Sequence, residues 1–301
     1  MRVGITGSTG FVGRALVAAL NDRGDDVVAF VRPSSSPVEG LRVRWDPERS
    51  LIDDDDLAAV GGFDAVVNLA GTGIATHRWS EEYRRRVLTS RTLSTTLLVN
   101  AMTSMTSGVA VLVSGSAVGF YGDRGDETLD ETAASGTDYV AEVCRDWEGA
   151  AEGFRATGAS LATIRTGIVV GRSGGVLERL LPLFRAGLGG VLGDGRQWMS
   201  PISLDDEVAA ILWLIDRQLS GSFNLCAPEP CTNRQMTKSL ARALHRPAVM
   251  RVPATALRVA LGAELANNTV LTSQRVVPAA LVASGFEFSS RDIDQIVASI
   301  V

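Results

Sequence analysis

The chain has 301 residues, 46% hydrophobic and 21% charged, the profile of an ordinary globular protein with a sizeable core rather than of a disordered or fibrous chain. A net charge of −5 and the lack of a strong basic block argue against nucleic-acid and membrane-surface partners, which depend on clustered Lys and Arg. Three cysteines (Cys144, Cys226, Cys231) without C-x-x-C spacing, and only two histidines (His77, His245), signal neither a disulfide framework nor a metal site.

The sequence opens directly on RVGITG, without a basic leader followed by a long apolar stretch, and no run is long enough to span a bilayer. With the odd cysteine set, this predicts a cytoplasmic protein. RVGITG reads as a β-strand, FVGRALVAALNDRG as an amphipathic helix and DVVAFV as a second strand. A connection follows, in which the acids Asp53 to Asp56 precede LAAV and suit a helix N-terminus. AVVNLAG is the next strand. It leads to a long helix through WSEEYRRRVLTSRTL, whose Arg84, Arg85 and Arg86 read as a solvated face. VAVLVSGSA, another helix and LATIRTGIVV complete the alternation. Apolar strands alternating with helices predict an α/β fold, a Rossmann-type doubly wound parallel sheet covered on both faces.

After Arg172 the glycine-rich SGGVLERLLPLFRAGLGGVLGDGRQW leaves the sheet. The chain returns with SLDDEVAAILWLI as a helix and SFNLCAP as a strand, then ends in a helical tail from Thr232. The expected division is a dinucleotide-binding domain at 1–172 and 203–227, with a smaller discontinuous substrate lobe at 173–202 and 228–301.

The first strand runs through Thr6 into Gly7, Ser8, Thr9, Gly10, Phe11, Val12 and Gly13, and then into the helix. In that context the glycines have distinct tasks: Gly7 permits the tight turn, Gly10 lets the backbone approach a pyrophosphate, and Gly13 lets helix pack on strand. The helix N-terminus then offers free N–H groups and a positive dipole end. The second strand ends in Arg32, not in an acid. Its planar fork, with hydroxyls from Ser34, Ser35 and Ser36, suits the extra phosphate and favours NADP(H) over NAD(H), the alternative being a solvated strand-end arginine. At NLAG, Leu69, Ala70 and Gly71 let the backbone pass close to the dinucleotide, although turn formation also accounts for the small residues.

The combination of TGSTGFVG, NLAG, VSGSAVGFYG and a later tyrosine resembles the extended short-chain dehydrogenase/reductase superfamily, which includes nucleotide-sugar epimerases. NLAGTGI, RWSEEYRRRVLTSR, VCRDWEGAA, RTGIVVG, GLGGVLGDGRQW, NLCAPEP and RPAVMRVPATALRVALG resemble an atypical epimerase-family, cell-division-inhibitor-like branch with its own C-terminal domain. This resemblance covers essentially the whole chain. It implies a serine and a tyrosine at the reacting carbonyl, with a lysine four residues after the tyrosine that lowers the phenol's pKa and holds the nicotinamide ribose. Ser116 and Tyr139 match the first two, but the lysine position holds Val143.

An unassisted phenol, with a pKa of about 10, is a poor base near neutrality but still a hydrogen-bond donor, which favours carbonyl reduction. Arg145 is the nearest cation in sequence; six residues along a helix is a rotation of about 240°, so it faces elsewhere. Tyr121 is a third candidate acid, equally suited to a pocket wall, and Ser116 suits a strand-end cap as well as it suits catalysis. Gln197 and Trp198 are candidate substrate contacts, Trp198 also fitting a packing role between lobes. The function expected is an NADP(H)-binding oxidoreductase or epimerase-like enzyme acting on a small carbonyl or alcohol. The alternative is a catalytically impaired NADP-binding sensor or partner-binding protein. A homodimer is compatible with the resemblance.

Overall fold

The computed structural model describes residues 1–33, 40–105, 108–172 and 174–300, and gives no side-chain description at 176, 177 and 179. Its central sheet has eight strands: β1 (Arg2–Thr6), β2 (Asp26–Val31), β3 (Leu41–Asp46), β4 (Leu51–Ile52), β5 (Ala65–Asn68), β6 (Val111–Ala117), β7 (Ser160–Thr166) and β8 (Gly221–Leu225). Their spatial order is β8-β7-β6-β5-β1-β2-β3-β4, and every pairing is parallel except β3 with β4. From β1 the chain goes to β2 on one side, and β5 takes the other side. The carboxyl ends of β1 and β5 therefore flank the point where the winding reverses, where open α/β sheets bind ligands.

Both faces of the sheet are buried, as the near-continuous apolar strands require. Val3, Ile5, Ala65, Val67, Val113 and Ile164 point to one face, where they meet Leu16 and Leu20 of α1 (Phe11–Asp22). On the other face Val28, Phe30, Val43, Val66 and Leu112 meet Val60 of α2 (Asp54–Val60) and Leu98 and Met102 of α3 (Glu81–Ser104). Each such side chain contributes about 1.5–3 kcal/mol on burial, so the paired layers carry most of the stability. The helices in chain order continue with α4 (Tyr139–Ala151), α5 (Gly175–Arg185), α6 (Leu204–Asp216) and α7 (Asn233–Ala243).

The connection expected between DVVAFV and AVVNLAG is richer than its sequence suggests, since it holds β3, β4 and α2. In LRVRWD, Val43 and Trp45 are buried while Arg42 and Arg44 are exposed, and the Trp45 ring meets Phe30 edge-on at 5.7 Å. This two-residue alternation marks a strand with one solvated face, and it escapes a search for continuous apolar runs. The acid run behaves as its position predicts. The Asp53 side chain accepts from the Asp56 N–H at 2.9 Å, and Asp54 to Asp56 fill the first turn of α2. β7 ends before Gly167, where a Cβ would lie 2.2 Å from the Ser200 carbonyl oxygen, so only glycine fits. The glycine-rich excursion is partly helical, forming α5 around Pro182. Its Phe184 joins Met236 and Leu240 of α7 and Ile293, Ile296 and Val297 in a separate small core.

One buried acid makes the fold pH-sensitive. Glu207 of α6 is 1% exposed; its Oε1 accepts from Thr166 Oγ1 at 2.8 Å, and its Oε2 has no partner among the described residues. Burial pushes its pKa up to about 8. Between the ordinary value of 4.5 and about 8 the folded chain holds a proton that the unfolded chain has released. This group's contribution to stability therefore falls as pH rises through that window, by at most about 1.4 kcal/mol per unit, and is lost above it. Urea unfolding at pH 6, 7 and 8 should show this decline, and Glu207→Gln should flatten it; an unchanged slope in the variant would refute the assignment.

Candidate functional site

The loop from β1 to α1 is shaped by what its glycines exclude. Gly7 has φ +69°, and a Cβ on it would lie 2.7 Å from the Leu69 carbonyl oxygen. A Cβ on Gly13 would come within 2.2 Å of the Gly7 oxygen. Gly10 N donates to that same oxygen at 2.9 Å and serves as the N-cap of α1. That helix start has no side-chain cap and no acid in its first turn, whereas Asp53, Ser80, Asp138, Ser203 and Thr232 cap other helices with their side chains. The first N–H groups of α1 thus have no side-chain cap, and the positive dipole end there favours an anion.

A buried chain of hydrogen bonds fixes this loop against the β5 turn. Thr6 Oγ1 donates to Asn68 Oδ1 at 2.7 Å and accepts from the N–H groups of Leu69 and Ala70, both at 3.1 Å. Asn68 Nδ2 and Trp147 Nε1 both donate to Thr95 Oγ1, at 2.8 and 3.1 Å, tying in α3 and α4. The side chains of Thr6, Asn68, Thr95 and Trp147 are all bonded in this series, so the loop and turn are held as one unit.

Above that unit opens a cleft of about 430 Å³, lined by residues 7–10, 30–33, 45–48 and 69–72 with Ser90 and Ser94. A second cavity of about 440 Å³ opens among Met1, Arg2, Gly24, Asp26 and residues 62–64, at the opposite edge of the strands. Ligands in such sheets bind at the carboxyl ends, so the first cleft is the candidate site. Of the residues expected at a dinucleotide, Gly7, Ser8, Thr9, Gly10, Arg32, Leu69, Ala70 and Gly71 line it. Gly13 lies beneath the loop. The Phe11 ring turns away to pack over Gly171, Gly174 and Gly175, and Val12 packs against the core. Ser35, with Ser34 and Ser36, lies outside the described residues.

Trp45, Asp46, Pro47, Glu48, Thr72, Ser90 and Ser94 also line the cleft and were not anticipated. The WDPE stretch becomes legible once LRVRWD is read as a strand, because it then falls at a carboxyl end. Ser90 and Ser94, one turn apart on α3, carry no such mark.

The resemblance-derived residues gather around β6 and α4. Ser116, 4% exposed, donates to Glu148 Oε1 at 2.6 Å. Glu148 pairs through both oxygens with Arg165, each contact 2.9 Å. Arg165 Nη1 donates to the Tyr121 oxygen at 3.0 Å, and Tyr121 donates to Asn224 Oδ1 at 2.7 Å. The Tyr121 side chain is fully buried, and burial pushes its pKa up to about 12. Its only proton is committed to Asn224, which places it in a structural relay.

Tyr139 begins α4 and donates to the Arg84 carbonyl oxygen at 2.5 Å. Its ring meets Trp79 edge-on at 5.1 Å and lies 4.6 Å from the Arg84 guanidinium. Burial raises its pKa, and Arg84 and Arg91 offset that only in part, so the phenol keeps its proton near neutrality. Val143 is buried against Tyr83 and Val87. The sequence contains a single lysine, Lys238, which is exposed on α7, so no ammonium replaces the one missing at 143. Arg145 faces away, donating to the Gly136 carbonyl.

The two candidate substrate contacts are engaged elsewhere. Gln197 Nε2 donates to the carbonyls of Leu192 and Val270, at 3.1 and 3.0 Å. Trp198 Nε1 donates to Asp126 at 2.8 Å, under a guanidinium from Arg275 4.4 Å from the ring centroid. Neither lines the cleft, and neither do Ser116, Tyr121 and Tyr139. Among the described residues no three His, Cys, Asp or Glu side chains gather as metal ligands, and no helix is long and apolar enough to cross a membrane.

Residues 3–226 match the NAD dependent epimerase/dehydratase family, and residues 252–300 match a domain of unknown function, DUF1731. Epimerase family protein Mb2239 of Mycobacterium bovis is 41% identical over 97% of this chain and 95% of its own. The crystal structure of human epimerase family protein SDR39U1 (isoform 2) with NADPH superposes with a TM-score of 0.89 at 31% identity, covering 100% of this chain and 99% of that one. The Thermus thermophilus UDP-glucose 4-epimerase complex with NAD shares the fold, with a TM-score of 0.76 at 20% identity over 99% and 97% of the two chains.

Proposed function

The chain belongs to the NAD-dependent epimerase/dehydratase family, and from that premise we propose that its cleft binds NADP(H) and that the protein moves hydride between this cofactor and a small carbonyl or alcohol. The observation that carries the reading is the glycine cradle at the winding reversal, with Arg32 on its rim. Backbone N–H groups from Gly7 to the start of α1 would hold the diphosphate, and Arg32 the additional phosphate. The NADPH in the human relative supports this choice, while the NAD in the bacterial epimerase makes Arg32 the deciding residue. Residues 173–202 and 228–301 serve in this reading as the substrate lobe.

When bound, the cofactor supplies the hydride. The chain's own part is to offer neutral donors, Ser116 and a protonated Tyr139, to a carbonyl oxygen, which suits reduction. For that, Tyr139 must turn its hydroxyl from the Arg84 carbonyl to the substrate. Titration by cofactor fluorescence should show NADPH bound at least about tenfold more tightly than NADH, with Arg32→Ala removing the difference, since hydrogen bonds to charged groups carry about 1.5–3 kcal/mol. Transfer of labelled hydride to members of a carbonyl panel should follow, and should drop by about 10²-fold or more in Tyr139→Phe. Equal affinity for both cofactors would remove the NADP assignment, and unchanged turnover in the variant would remove the tyrosine.

A second reading, a non-catalytic NADP-binding sensor, is favoured by one observation: both hydroxyls are bonded to protein and no lysine adjoins them. Cofactor binding without hydride transfer to any carbonyl would select it.

A further inference from the structure

Among the described residues, one guanidinium near the cleft has no carboxylate partner. Arg91 of α3 donates through Nη1 to the carbonyls of Thr72 and Val87, both at 2.9 Å, and its guanidinium lies 4.9 Å from the Trp147 ring centroid. Its Nε and Nη2 groups make no hydrogen bond among the described residues, and no carboxylate there pairs with it. Burial pushes its pKa down, with only Cys144, Tyr139 and Tyr83 nearby to offset the effect. An arginine nonetheless keeps its charge in a protein, and this partly buried one, held by two carbonyls and a ring but by no carboxylate among the described residues, keeps Nε and Nη2 for a ligand oxygen.

Its place identifies that ligand. A Cβ on Gly71 would meet Arg91 Cζ at 3.1 Å and Nη2 at 3.3 Å, so the guanidinium packs behind Gly71, which itself lines the cleft. This is the end of the cleft past β5, away from Arg32, where the nicotinamide half of a dinucleotide runs when its adenosine half lies along β2 and β3. Val87, one turn before Arg91, packs on Val143. We propose that Arg91 is the cation that binds the nicotinamide-side ribose hydroxyls, reaching from α3 to the place left by the lysine absent from α4. The inference rests on the dinucleotide reading above.

The test titrates wild type, Arg91→Met and Arg91→Lys with NADPH and with adenosine 2′,5′-bisphosphate, which lacks the nicotinamide ribose. Arg91→Met should weaken NADPH about tenfold or more and leave the bisphosphate unchanged, with partial recovery in Arg91→Lys. Unchanged NADPH affinity, or equal weakening of both ligands, overturns the inference while leaving the cofactor reading standing. If wild type binds neither ligand, the cofactor reading fails and takes this inference with it. A second measurement needs no variant: phenylglyoxal modification of Arg91, read by peptide mass spectrometry, should be slowed by NADPH and not by the bisphosphate. Equal protection by both, or by neither, overturns it.

Discussion

Gly13→Ala should weaken NADPH binding by about 10- to 100-fold while leaving the chain folded. The added Cβ would stand 2.2 Å from the Gly7 carbonyl oxygen, 2.9 Å from its carbon and 3.0 Å from the Ser8 Cα, all of them backbone atoms that cannot rotate aside. Either α1 retreats from the loop or the loop rises into the cleft. The Gly7 oxygen also accepts from Gly10 N, so the displacement reaches the N–H groups that would hold the diphosphate. Overpacking of this kind costs about 1–3 kcal/mol, and each 1.4 kcal/mol charged to the bound geometry is tenfold in affinity. Gly149→Ala is the control. Gly149 lies within α4 with nothing within 4 Å of an added Cβ, and the exchange should raise stability by up to about 1 kcal/mol without touching affinity. Fluorescence titration and urea unfolding of both variants check this, and wild-type affinity in Gly13→Ala would refute the cradle.

This contrast shows which parts of the site a sequence can express. A glycine loop is legible because strand, turn and helix are contiguous, and the demand that Gly13 meets is set by Gly7 and Ser8 within the loop itself. The same holds for Asp53 as a helix cap and for Arg32 at a strand end. The alternating LRVRWD strand hides among charges, and with it Trp45 to Glu48 at the cleft. The fates of Tyr121 and Gln197 are illegible for another reason: their partners, Asn224 and Val270, lie 103 and 73 residues away in the chain. A polar side chain in a promising motif announces a donor, but only the fold tells whether that donor is already spent. Arg91 is the converse case, an unremarkable helix arginine in sequence whose proposed role comes only from its place behind Gly71 and from the lack of a carboxylate beside it among the described residues.

Arg165→Met should cost about 3–5 kcal/mol of stability, the largest loss expected from a single side-chain exchange here. The Arg165 side chain is 6% exposed and that of Glu148 14%, and the pair shares two parallel hydrogen bonds. Removing the cation strands a carboxylate inside the fold, frees the Tyr121 hydroxyl oxygen of its donor and strips the guanidinium from the face of Phe120, 3.5 Å from its ring centroid. The double variant Glu148→Met with Arg165→Met should recover most of the loss, because two apolar side chains of similar length leave no buried charge. Urea unfolding of both single variants and the double variant gives the coupling, and additive losses would refute the pairing as the cause. The double variant also isolates Ser116, whose Oγ donates to Glu148 in the native chain. With the carboxylate gone, that hydroxyl is free to bond a substrate but no longer aimed. If Ser116 works only when Glu148 orients it, hydride transfer falls in the folded double variant while NADPH affinity stays, which would make the ion pair a scaffold for chemistry as well as for stability.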